Sequence, residues 1–119
     1  MSVCPVRGAS RCRLLYGMIL IAFPGTILRV AGVRPQSVTG RLTTVVRLLG
    51  ARHVVEAVAL ERFPTRRGAF AAATVDGLHA ASLVVLARMF PARARLARAD
   101  CAIALGFGLT TAACAVAAR

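Results

Sequence analysis

The chain has 119 residues, room for one domain, and 58% of them are hydrophobic. Ordinary soluble domains carry about 45–50% apolar residues and a small globule has too much surface to hide more, so a mean hydropathy of +0.71 excludes that class and favours a bilayer. The net charge of +12 comes from sixteen arginines with no lysine; without Trp or a run of stacking aromatics this charge excludes nucleic acid as a partner, and it suits lipid phosphates at the ends of apolar spans.

The basic head "MSVCPVRGASRCR" leads into "LLYGMILIAFPGTIL". That layout is shared with signal peptides, but "RVAGVRP" offers no convincing cleavage site, so an uncleaved first helix over residues 14–33 is expected. Pro24 should kink it. "RPQSVTG" carries turn residues, and a second helix is predicted over 41–60, stopped by "ERFPTRRG". A third is predicted over 69–90 and a fourth over 96–118, separated by "PARARLAR". No strand alternation interrupts this pattern. The expected fold is therefore all-α: one domain, 1–119, forming an integral membrane bundle of about four transmembrane helices joined by short Arg-rich loops. Small residues in the last two helices should let their backbones approach closely. Both sets of loops are about equally basic, so no orientation follows from charge.

Four cysteines, Cys4, Cys12, Cys101 and Cys114, show neither CxxC nor metal-ligand spacing and are expected to be free thiols. A Cys4–Cys12 disulfide would need an oxidising compartment.

The chemistry lies in "RLLGARHVVEAVALE", residues 47–61, where charges interrupt an apolar helix. At about 100° per residue, Arg52, His53 and Glu56 share one arc while Arg47 points elsewhere. Asp76 and His79 share a face of the third helix, and Asp100, Thr111 and Cys114 a stripe of the fourth. Counted from Pro64, Arg52 and Asp76 reach the same depth in an antiparallel pair, and Arg47 is placed to approach Asp100. Arg47, Arg52, His53, Glu56, Asp76, His79 and Asp100 are thus expected to form one buried polar network. A charge at mid-bilayer costs about 2.5–3.5 kcal/mol and must find partners. Two arginines against three carboxylates leave −1, or neutrality with one histidine protonated.

Such a network has a structural reading, in which ion pairs fix helix register. It has a proton-path reading, because intramembrane His and acids relay protons. It also has a metal reading: "HVVE" (His53, Glu56) and "DGLH" (Asp76, His79) share residue types and i,i+3 spacing with di-iron helix pairs, although carboxylates are too few and Arg52 opposes a cation. No nucleophile motif surrounds Ser82 or Cys101, so no catalytic residue is assigned.

"RLLGARHVVEA" followed by "AAATVDGLHAASLVVLA" resembles small uncharacterised multi-pass membrane proteins of actinobacteria over roughly residues 41–118, a resemblance that implies no activity. Helix number and size are also similar to small multidrug-resistance transporters, but the first helix lacks their embedded glutamate and has only Tyr16 as a mid-span polar group. The expected function is a non-enzymatic component of the cytoplasmic membrane, without cofactor, whose partners are the bilayer and a second copy or another membrane subunit. The alternatives are a small proton-coupled transporter and a metal-dependent membrane oxidoreductase.

Overall fold

The computed structural model describes residues 4–117, with side chains from Arg7 onward; the expected end of the last helix at Ala118 and the Cys4 thiol lie outside the described residues. The described chain is all helical, without a strand. Its elements are α1 (Cys4–Ala22), α2 (Pro24–Val30), α3 (Gly40–Arg62), α4 (Arg66–Met89) and α5 (Ala94–Ala117), with 3-10 turns at Pro35–Ser37 and Pro91–Arg93.

Helix boundaries follow from local chemistry. Thr39 caps α3 by accepting a hydrogen bond from the Leu42 amide at 3.3 Å, and Thr65 caps α4 from the Gly68 amide at 3.0 Å. Three Phe-Pro pairs mark the C-terminal ends of α1, α3 and α4. Proline forces its predecessor out of the α region, so Phe23, Phe63 and Phe90 share φ values of −127°, −129° and −127°.

The first helix differs from its expected form in two ways. It begins ten residues earlier, at Cys4 instead of residue 14, so the basic head is helical from Cys4 onward. It also breaks at Phe23-Pro24, where α1 and α2 meet at 100°, and residues 14–33 are not one continuous span. Two helices, α4 and the segment Pro91–Ala117, are long and apolar enough to cross a membrane; a third is added if α1 and α2 are one bent span.

The helices form two antiparallel pairs, α1 with α3 and α4 with α5. The helices joined across Pro64, α3 and α4, meet through Arg52 and Asp76, while the close seams lie within the two pairs, and α1 and α3 close on glycine. A Cβ added to Gly17 would stand 2.7 Å from the Gly50 carbonyl oxygen, and one on Gly50 would stand 2.6 Å from that of Gly17. The α4–α5 seam is built from Ala69, Ala80, Ala97, Ala104 and Gly108. Buried positions alternate three and four apart: Ser10, Arg13, Gly17 and Leu20 on α1, and Val46, Gly50, His53, Ala57 and Leu60 on α3. This is the spacing of a left-handed, knobs-into-holes seam.

Both pairs run in the same sense, which sorts the loops by end. Seven arginines, Arg29, Arg34, Arg41, Arg88, Arg93, Arg95 and Arg98, gather where α1 ends and α5 begins, all exposed and without an exposed acid among them. Arg7, Arg11, Arg62, Arg66 and Arg67 lie toward the opposite end with Glu61.

Candidate functional site: a buried charge cluster between the helix pairs

The centre of the site is Arg13, which lies in the basic head ahead of the expected first helix. Because α1 starts at Cys4, this arginine stands mid-helix on the buried stripe and is only 1% exposed. Its guanidinium donates to Asp76 through Nη1–Oδ1 at 3.2 Å and Nη2–Oδ2 at 2.5 Å, to Glu56 Oε2, and to Thr111 Oγ1 at 3.3 Å. One side chain from α1 therefore holds α3, α4 and α5 together. The available signal was the three-four spacing Ser10–Arg13–Gly17–Leu20, which carries the apolar stripe back into the basic head.

Arg52 completes the cluster, with Nε 3.0 Å from Glu56 Oε1 and Nη2 3.0 Å from Asp76 Oδ1. The i,i+4 pair and the shared depth of Arg52 and Asp76 both match the sequence expectation. All four carboxylate oxygens of Glu56 and Asp76 now meet a guanidinium, and two positive charges balance two negative ones. Bidentate Arg–carboxylate geometry of this kind is the strong form of the interaction.

His53 is buried beside the cluster but belongs to an aromatic group. Its ring centroid lies 5.2 Å from Tyr16 and 5.5 Å from Phe107, and those two rings are 5.7 Å apart. The Arg13 guanidinium stacks over Phe107 at 4.9 Å, a cation–π contact worth more where water is excluded. Three rings from α1, α3 and α5 thus seal one side of the ion pairs.

The expected single network separates into two groups. His79 Nε2 and Asp100 Oδ2 pair at 3.1 Å, and no hydrogen bond joins them to the Arg13 cluster among the described residues. Arg47 belongs to neither group. It is exposed on α3, and Asp100, the partner proposed for it, is taken by His79. The reason is the seam: Arg47 follows the buried Val46 and turns outward, as its separate angular position on the helix requires. Of the residues expected on the fourth helix's stripe, Thr111 and Cys114 are buried and Asp100 is half-buried. Cys12, Cys101 and Cys114 are free thiols.

Of the four metal candidates, His53, Glu56 and Asp76 place ligand atoms within 4.8 Å of one another, whereas His79 stands with Asp100. A cation there would have to displace two guanidiniums from the carboxylates it needs, and Arg13 and Arg52 would repel it at close range. The donor set does not fit a divalent metal. It fits the arginines it already holds.

Comparison with protein-family models, curated proteins and solved structures gives no match. Function is therefore inferred from the site's own chemistry.

Proposed function

We propose that this protein is a multi-pass integral membrane protein of the cytoplasmic membrane, a non-enzymatic four-helix component whose buried charges lock two helix pairs together. The observation that carries this reading is the inverted distribution of polarity. Arg13 and Asp76 are 1% and 0% exposed, while Val30, Leu48, Val55, Leu78 and Leu109 are 65–82% exposed. Water would penalise that arrangement; hydrocarbon favours it. The same distribution supports α3 as a fourth span, although its mean hydropathy is the lowest of the long helices. Its Arg52, His53 and Glu56 face the bundle, whereas Val45, Leu48, Val55 and Val58 cover its outer side. At about 1.5 Å per residue, helices of 23 and 24 residues exceed the roughly 30 Å of a hydrocarbon core. The resemblance to small actinobacterial membrane proteins belongs to this reading, and so does packing of the exposed Leu and Val faces against a second copy or another subunit.

Topology provides the test. In a cysteine-free variant, single cysteines at Gln36 and Ala92 should react with an impermeant maleimide from one side of the membrane, and one at Thr65 from the other. Labelling of all three from the same side would mean that α3 and α4 do not cross.

A second reading, a proton-coupled transporter, draws support from the His79–Asp100 pair. Asp76 is fully engaged by arginine, so a proton site falls to Asp100, whose Oδ1 has no partner among the described residues and which lines an apolar cleft. On that reading Asp100→Asn abolishes proton-driven uptake in proteoliposomes while Arg47→Ala leaves it intact. Equal uptake by the Asn variant removes the reading.

A further inference from the structure

Between the two helix pairs, on the Arg-rich side of the charge cluster, lies a cleft of about 1030 Å³. Its walls include Leu20, Val46, Leu49, Leu83, Leu86 and Ile103, so all four long helices contribute, and Tyr16 and Asp100 add polar groups to the lining. It continues into a second recess of about 520 Å³ through the shared residues Ala31, Leu42, Arg93 and Leu96. That recess is polar and carries Arg34, Arg93 and Arg95. Gly32, at φ +87°, brings the chain under Arg95: a Cβ there would stand 3.2 Å from its Nη1. Only glycine accepts that conformation without strain.

We infer that this double cavity is a binding site for an anionic phospholipid, with acyl chain in the apolar cleft and headgroup phosphate on Arg34, Arg93 and Arg95. The inference rests on the membrane reading and adds a ligand to it. Charge complementarity selects the ligand class. The end of the bundle where the recess opens carries seven exposed arginines and no exposed acid, which suits a net negative headgroup better than a zwitterion. The apolar volume behind it needs a hydrocarbon tail, which a free anion lacks. Asp100 sets the direction. It lies five residues beyond Arg95 on α5, about 7.5 Å deeper along the helix, and its carboxylate repels a phosphate placed inward of the arginines.

Full-length protein in detergent, examined by native mass spectrometry, tests this with three probes: phosphatidylglycerol, phosphatidylcholine of identical chains, and chainless glycerophosphate. Phosphatidylglycerol should be retained at least about tenfold better than phosphatidylcholine, as a few arginine–phosphate contacts imply. Glycerophosphate at equal concentration should not displace it. The triple variant R34Q/R93Q/R95Q should lose the headgroup preference, and Leu83→Trp, which fills the cleft, should lose retention of both lipids with helicity unchanged. Equal retention of the two lipids by the natural protein overturns the proposal, as does a preference that survives the triple variant. Displacement by glycerophosphate overturns it in favour of a free-anion site. Should the tryptophan variant fail to fold, the three probes on the natural protein still decide. Failure of the membrane reading is seen separately, in the maleimide labelling of Gln36, Thr65 and Ala92.

Discussion

Arg13→Ala should lower the unfolding free energy by about 3–5 kcal/mol, the usual cost of breaking a buried ion pair by removing one partner. The substitution strands the Asp76 carboxylate, 0% exposed, with Arg52 as its sole cationic contact, and removes the donor to Thr111. Asp76→Ala should cost a similar amount for the mirror reason, since Arg13 is then buried with Glu56 as its sole acidic partner. The double variant tells more. Removing Arg13 and Asp76 together leaves Arg52 and Glu56, an i,i+4 pair that is itself neutral. The double loss should therefore fall short of the sum of the singles by about 0.5–3 kcal/mol, the coupling expected of contacting charges. Reversible unfolding in mixed micelles measures all three. Strict additivity would show that Arg13 and Asp76 do not meet, and with it the latch between the helix pairs would fail.

The second large effect is expected at the α1–α3 crossing. In Gly17→Ala the new Cβ meets a backbone oxygen of Gly50 at 2.7 Å, and backbone cannot rotate away as a side chain does. The helices must separate, at an overpacking cost of about 1–3 kcal/mol that outweighs the helix propensity gained from alanine. Gly50→Ala should behave alike, its Cβ standing 2.6 Å from the Gly17 oxygen. Gly77→Ala is the control. Nothing lies within 4 Å of a Cβ there, so the same exchange on α4 should be neutral or stabilising. If Gly17 and Gly77 respond equally, close backbone approach does not hold the first pair.

These two regions also show how far the sequence can be read. Hydrophobic runs, threonine caps and Phe-Pro stops are local signals, so α3, α4 and α5 lie within a few residues of their expected places. Arg52 meeting Asp76 was legible as well, because depth follows from counting residues on either side of Pro64. Arg13 was not. Arginine in a basic head reads as a flanking cation; the three-four spacing with Gly17 and Leu20 hints at the buried stripe, but its partners 43 and 63 residues away are what hold it there. The pairing of α1 with α3 was hidden for a related reason. Gly17 and Gly50 look like ordinary helix glycines until their backbones are seen to face each other. Helix existence is written locally, whereas the choice of helix partners depends on pairs of positions that no single window contains.

The position of Arg13 bears on how such a bundle is made. During synthesis α1 emerges before α3 and α4, and its central cation finds Glu56 only after a further 43 residues and Asp76 after 63. Until then, a charge at mid-bilayer carries a penalty of about 2.5–3.5 kcal/mol. In a membrane-spanning bundle, α1 therefore reaches its final pairing only after α3 and α4 have delivered its counter-charges. A chain cut before Asp76 would leave Arg13 without its bidentate partner, so the pairing of α1 depends on residues supplied as late as α4.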